Sequence, residues 1–68
     1  MFPEDKLRLT QYVQGLSSLG RFELVPVIEG EEWLLKGIDF YGNQINIAKI
    51  TYDECLPFDE RFTLKAVD

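Results

Sequence analysis

The spacing of apolar side chains changes period at Gly20, and that change limits what the chain can fold into. Before it, Leu9, Tyr12, Val13, Leu16 and Leu19 recur at i, i+3, i+4 and i+7, with Phe2 on the same side. That is the spacing of one helix face. After it, apolar and polar residues alternate, the period of strands. The chain therefore reads as one helix followed by strands.

The spacing predicts a helix over 3–19. Pro3 suits the first helical position, where its missing N–H is no loss. Glu4 and Asp5 place carboxylates in the first turn, where they complement the helix dipole. Gly20 suits a left-handed helix end. Gly15 lies inside and costs about 1 kcal/mol relative to alanine. A helix this weak must be held by packing. Leu7 faces the other way, between Gln11 and Gln14, as a single exposed apolar residue.

Four strands are expected, over 21–29, 32–41, 45–52 and 61–67. Phe22, Leu24, Pro26 and Ile28 alternate with Glu23, Val25, Val27 and Glu29. Pro26 lacks a ladder donor, which predicts an edge strand or a bulge. Glu29-Gly30 and Gly42-Asn43 are turn signals. Gly37 predicts a bend within the second strand. Both faces of these strands carry apolar residues. A strongly bent antiparallel sheet, closed on itself with the helix over one open end, buries both faces better than a flat sheet does. Strand edges left open invite pairing between identical subunits into a closed ring.

The chain has 68 residues, one cysteine and no histidine. That is room for one domain. A Cys/His zinc site, a Ser-His-Asp triad, a Cys-His dyad and a disulfide framework are all excluded. Asp53, Glu54, Asp59 and Glu60 lack the spacing of a known cation loop. No enzyme activity, metal or other cofactor is expected. Cys55 has no basic neighbour in sequence to activate its thiol, and reads as a small buried or half-buried hydrophobe. Trp33, Phe40, Tyr41 and Tyr52 read first as core, with base stacking as the alternative and, for Trp33, an interface anchor. No apolar run is long enough to span a bilayer, so no membrane partner is expected. The first residues are acidic where a signal peptide would be basic, which points to a cytoplasmic protein.

Seven Lys and Arg against twelve Asp and Glu leave a net charge of −5. Acid concentrates at Glu29, Glu31 and Glu32 and again at Asp53, Glu54, Asp59 and Glu60, both read as solvated loops. One reading of this balance is an acidic adaptor or inhibitor that docks on a basic protein.

The other reading comes from a resemblance. Tyr41-Gly42-Asn43-Gln44-Ile45-Asn46-Ile47 is similar to the Phe-Asp-x-x-Met-Asn-Leu motif of the Sm/Sm-like family, which includes the bacterial Hfq type. Gly30 stands at that family's turn glycine, Gly37 near its bend glycine and Asp53-Glu54 at its acidic loop. Leu64-Lys65-Ala66 approaches its Ile-Arg-Gly motif. The likeness spans about residues 3–67. Departures are Gly42 for the motif aspartate, Lys65 and Ala66 for arginine and glycine, and two shifted glycine spacings. Only Val67 and Asp68 follow the last strand, unless 50–56 and 61–67 serve as the fourth and fifth.

The resemblance implies an N-terminal α-helix and a strongly bent, five-stranded antiparallel small barrel. It further implies a homo-oligomeric ring that binds single-stranded RNA, or DNA, in processing or regulation. Carried onto this chain, it makes Tyr41, Asn43, Gln44, Asn46 and Lys65 the binding residues. Gln44 and Asn46 would read base edges through their amides. Lys65 would meet phosphate or base from the opposite side. The plainer readings are a loop residue for Gln44, a turn-bonding strand residue for Asn46 and a solvated lysine for Lys65. At net −5, binding requires Lys49, Lys65 and Arg61 to gather on one face.

Overall fold

The computed structural model describes residues 1–67. A helix, α1 (Pro3–Ser17), precedes four strands: β1 (Arg21–Ile28), β2 (Glu32–Ile38), β3 (Gln44–Tyr52) and β4 (Phe62–Ala66). A single 3₁₀ turn, Phe58–Glu60, lies between β3 and β4. The strands form one antiparallel sheet in the order β1-β2-β3-β4.

The helix-then-meander layout is as the sequence predicts, but the barrel is not. Among the described residues there are four strands, not five, and the sheet stays open with β1 and β4 as its edges. The expectation of closure rested on apolar residues on both strand faces. The outer face does carry apolar groups, but the sheet does not curl over them: Val25, Leu34 and Ile38 are half-buried by their neighbours, and Val27 and Ile28 are simply exposed.

Element bounds shift for local reasons. The helix stops at Ser17, and its cap residue Ser18 keeps right-handed geometry. Gly20 does not take the left-handed conformation, and Leu19 is 82% exposed. β2 ends at Ile38 because Asp39 starts a turn. Its carboxylate accepts the backbone N–H groups of Tyr41 (2.9 Å) and Asn43 (2.8 Å). Phe40 and Tyr41 therefore stand in solvent at the hairpin tip rather than in the core. Positive φ at Gly30 (75°) and Gly42 (84°) closes the two hairpins. Cys55 is exposed, not buried, because it lies in the β3–β4 loop, where its N–H donates to the Asp53 carboxylate.

The inner face carries the core of Trp33, Leu35, Ala48, Ile50 and Tyr52. Leu9 and Leu16 of the helix and Phe22, Leu24 and Phe62 of the sheet pack against it. β1 is an edge strand whose pairing slips between Pro26 and Ile28, as Pro26 predicts. A β-bulge in β3 is the other irregularity. Leu35 pairs with Ala48 but Lys36 pairs with Asn46, so Ile47 is the extra residue. Its side chain occupies the space beside Gly37, where an added Cβ would come within 2.7 Å of Ile47 Cδ1.

The most buried side chain is a charged one. Asp5 is 0% exposed. Tyr52 Oη donates to its Oδ2 at 2.6 Å and Arg61 Nη1 at 3.0 Å, while Arg8 Nη1 lies 3.5 Å from Oδ1. Arg8 also donates to the Phe58 carbonyl (2.7 Å) and Arg61 to that of Leu56 (3.1 Å). The two guanidiniums stack on aromatic rings, Arg8 at 4.0 Å from the Phe58 centroid and Arg61 at 5.1 Å from that of Phe2. The cluster pins the helix start to the end of β3 and to the β3–β4 loop.

Burial by itself pushes the Asp5 carboxyl up. The Tyr52 hydrogen bond, the charge and hydrogen bond of Arg61 and the charge of Arg8 outweigh burial and hold the group below the ordinary aspartate value. Burial first, then the bond to Asp5, pushes the Tyr52 phenol up.

Two predictions follow from this architecture. Asp5→Asn keeps the shape but removes the charge both guanidiniums face, so its Tm at neutral pH falls by about 10 °C or more. Because the folded-state pKa lies below the unfolded one, the wild-type advantage is complete above about pH 5 and narrows as pH falls below about 4. Thermal melts of both proteins across pH check this. An alanine at Gly15 meets nothing within 4 Å. Gly15→Ala therefore gains about 0.5–1 kcal/mol in urea unfolding.

Candidate nucleic-acid interface

Side chains alternate across a strand, so the residues between the core positions form a second, solvent-facing surface. The register orders it in rows: Arg21–Ile38–Gln44, then Glu23–Lys36–Asn46, then Val25–Leu34–Lys49–Lys65, then Ile28–Glu32–Thr51–Thr63. This face holds four cations, Arg21, Lys36, Lys49 and Lys65, against two carboxylates, Glu23 and Glu32. The chain is acidic, yet its open sheet face is net basic.

The bulge creates this arrangement. Without the extra residue at Ile47, Asn46 and Lys49 would point to opposite faces, because a one-residue slip inverts a strand. With it, Gln44, Asn46, Lys49 and, across the ladder, Lys65 share one face.

Lys49 and Lys65 are directly opposite each other. Their pair is of the hydrogen-bonded kind, since Val67 N–H donates to the Ile47 carbonyl and Asp53 N–H to the Arg61 carbonyl, two and four residues away in the same phase. Cα atoms in such pairs are about 5.5 Å apart, and like charges there repel. Glu32 Oε1 lies 3.0 Å from Lys49 Nζ and offsets part of the repulsion. Among the described residues, Arg21, Lys36 and Lys65 form no ion pair.

Of the residues singled out from the sequence, Gln44, Asn46 and Lys65 lie exposed on this face. Tyr41 and Asn43 are apart from them, in the β2–β3 turn beyond the end of the rows. Tyr41 is 86% exposed and meets Phe40 edge to face with ring centroids 5.8 Å apart. Arg61 does not join Lys49 and Lys65, because Asp5 holds it. Phe40 reads from the sequence as a core aromatic with stacking as the alternative, whereas Arg21 and Lys36 are not among the residues singled out. Their signal was the alternation itself, continued through the hairpin.

The acidic residues collect elsewhere. The β1–β2 turn and the start of the β3–β4 loop meet at one end of the sheet, where Tyr52 N–H donates to the Glu31 carbonyl (2.8 Å). Glu29, Glu31, Asp53 and Glu54 are exposed there. Among the described residues, no group of three or more His, Cys, Asp or Glu side chains is placed to hold a metal ion. Among the described residues, no helix is long and apolar enough to cross a membrane. Comparison with protein-family models, curated proteins and solved structures finds no match to this chain.

A lysine pair that opposes itself is a local cost of the surface. Lys65→Glu turns the repulsion into attraction and raises stability by about 0.3–1 kcal/mol at low salt. The gain shrinks at about 1 M salt, where the screening length is near 3 Å. Urea unfolding at the two ionic strengths measures both effects.

Proposed function

We propose that the open outer face of the sheet binds single-stranded nucleic acid, RNA or DNA. The observation that carries this reading is the segregation of charge: Lys36, Lys49 and Lys65 lie together on a face that also presents Gln44, Asn46, Thr51 and Thr63. Lysines attract phosphate and release counterions. Amides and hydroxyls donate to and accept from base edges. Phe40 and Tyr41, standing clear of the sheet at the hairpin tip, offer rings on which bases stack. An exposed basic sheet flanked by aromatics suits splayed single strands better than a duplex. The acidic end of the molecule repels the backbone and gives a bound strand one way to run, from the hairpin tip across the lysines.

Edge-to-edge pairing of such sheets would repeat the site once per subunit and multiply weak contacts.

Fluorescence anisotropy with labelled oligo-U and oligo-dT at about 50 mM salt tests the proposal. The wild type is expected to bind, with affinity falling steeply as salt rises. Lys36→Glu, Lys49→Glu and Lys65→Glu together abolish binding. Phe40→Ala with Tyr41→Ala weakens it by about 1–3 kcal/mol per stacked base lost. Absence of binding to every single-stranded oligomer, or binding indifferent to the three lysines, would overturn the reading. Capture of a basic protein through Glu29, Glu31, Asp53 and Glu54 in place of an oligonucleotide would favour the acidic-adaptor alternative.

A further inference from the structure

We infer that β4 is a self-complementary edge, and that two copies of the chain pair through it, antiparallel about Leu64, into one eight-stranded sheet. Three independent features of the edge agree on that register.

The first is hydrogen-bond phase. Val67 N–H and the Arg61 carbonyl both bond toward β3. Backbone direction alternates along a strand, so Thr63 and Lys65 also face β3. Phe62, Leu64 and Ala66 then aim their N–H and C=O groups outward, unpaired at the edge. Two antiparallel copies centred on Leu64 exchange both Leu64 bonds and pair Phe62 with Ala66 of the partner subunit on each side.

The second is what lies beside the edge. Phe62, Leu64 and Ala66 pair with Tyr52, Ile50 and Ala48, so they are on the inner, helix-covered side of the sheet. The helix does not reach this far. Leu64 is 56% exposed and Tyr12 40%. Between them runs an apolar groove of ≈ 290 Å³, lined mainly by Leu9, Tyr12, Ile50, Phe62 and Leu64. A two-fold axis through Leu64 keeps both helices on one side and brings the two grooves face to face. The occupant is thus a second copy, whose own Leu64 and Tyr12 cover this surface.

The third is charge. In this register Lys65 opposes Thr63 of the partner subunit rather than another lysine. Centring the pair on Phe62 instead would drive the Phe58–Glu60 turn into the neighbouring strand. The opposite edge is less suited, because Pro26 lacks a donor and the strand slips beside it. Isologous pairing through one edge closes at two copies. The inference does not depend on nucleic-acid binding, although the dimer places Lys49 and Lys65 of both copies on one continuous outer face.

Sedimentation equilibrium on the full chain, from about 10 to 500 μM, tests it, because self-association follows concentration. Chemically synthesised protein with N-methyl-leucine at position 64 loses the outward donor alone and leaves every bond to β3 intact. The wild type is expected to reach twice the monomer mass, and the N-methyl protein to remain monomeric at every concentration, with the melting temperature that the wild type shows when diluted to monomer. As a second measurement, Cys55→Ser/Leu64→Cys is expected to cross-link two chains on mild oxidation, since the paired Cα atoms lie about 5.5 Å apart, within disulfide reach. A wild type monomeric throughout, an assembly larger than two, a dimer indifferent to N-methylation, or failure of the cysteine variant to cross-link would overturn the inference.

Discussion

A single carboxylate, buried at the start of the helix, fixes how the helix sits on the sheet in this small molecule. Asp5 accepts from Tyr52 on the sheet and Arg61 on the loop, and faces Arg8 on its own helix. Burying such a charge contributes little net stability, because desolvation offsets most of the attraction. Its consequence is register. If the helix slid by one turn, the carboxylate would be left without donors beneath it, and two guanidiniums would lose their counterion. A core of five buried apolar side chains allows several ways of laying a helix across it. The charge cluster allows one. The same cluster ties down the β3–β4 loop, and so fixes where β4 begins and which residues form the sheet edge.

The bulge at Ile47 does for the sheet what Asp5 does for the helix. It shifts one half of β3 by a residue, so that Asn46 and Lys49 face solvent together while Ala48, Ile50 and Tyr52 face the core. Gly37 makes room for the displaced isoleucine. The outer face gains a lysine pair at some cost in stability, and the inner face keeps a continuous apolar row. The two surfaces then do different things: the inner row anchors the helix and runs out to an uncovered edge, and the outer row concentrates positive charge on an acidic chain.

Element order was legible in the sequence because the change of period at Gly20 is sharp and the two turn glycines punctuate the strands. Pro26 correctly marked an irregular edge. Closure into a barrel was the misreading. Val25, Ile28, Leu34 and Ile38 suggest a second face that needs burial, yet a half-exposed apolar residue is ordinary on an open sheet. Lys65 and Asn46 were recognisable as candidates, but their sharing a face was not, since it depends on the bulge, and one inserted residue has no signature beyond the slack in Gln44–Tyr52. Asp5 is the instructive omission. In the sequence it reads only as a dipole-complementing acid, though it stands four residues before Leu9, on the apolar stripe. A carboxylate at that spacing signals a buried partner, and the tyrosine and arginines that serve it are too distant in sequence for pattern alone to connect.

The central claim is that Asp5 stays ionised in the core and that its charge keeps the helix docked. Carbon-13 NMR titration of the Asp5 carboxyl, followed alongside Trp33 fluorescence, tests it most directly. The account predicts a midpoint below the unperturbed aspartate value of about 3.9, with exposure of Trp33 tracking protonation of that one group. A midpoint at or above that value, with the indole still buried once the carboxyl is protonated, would contradict it.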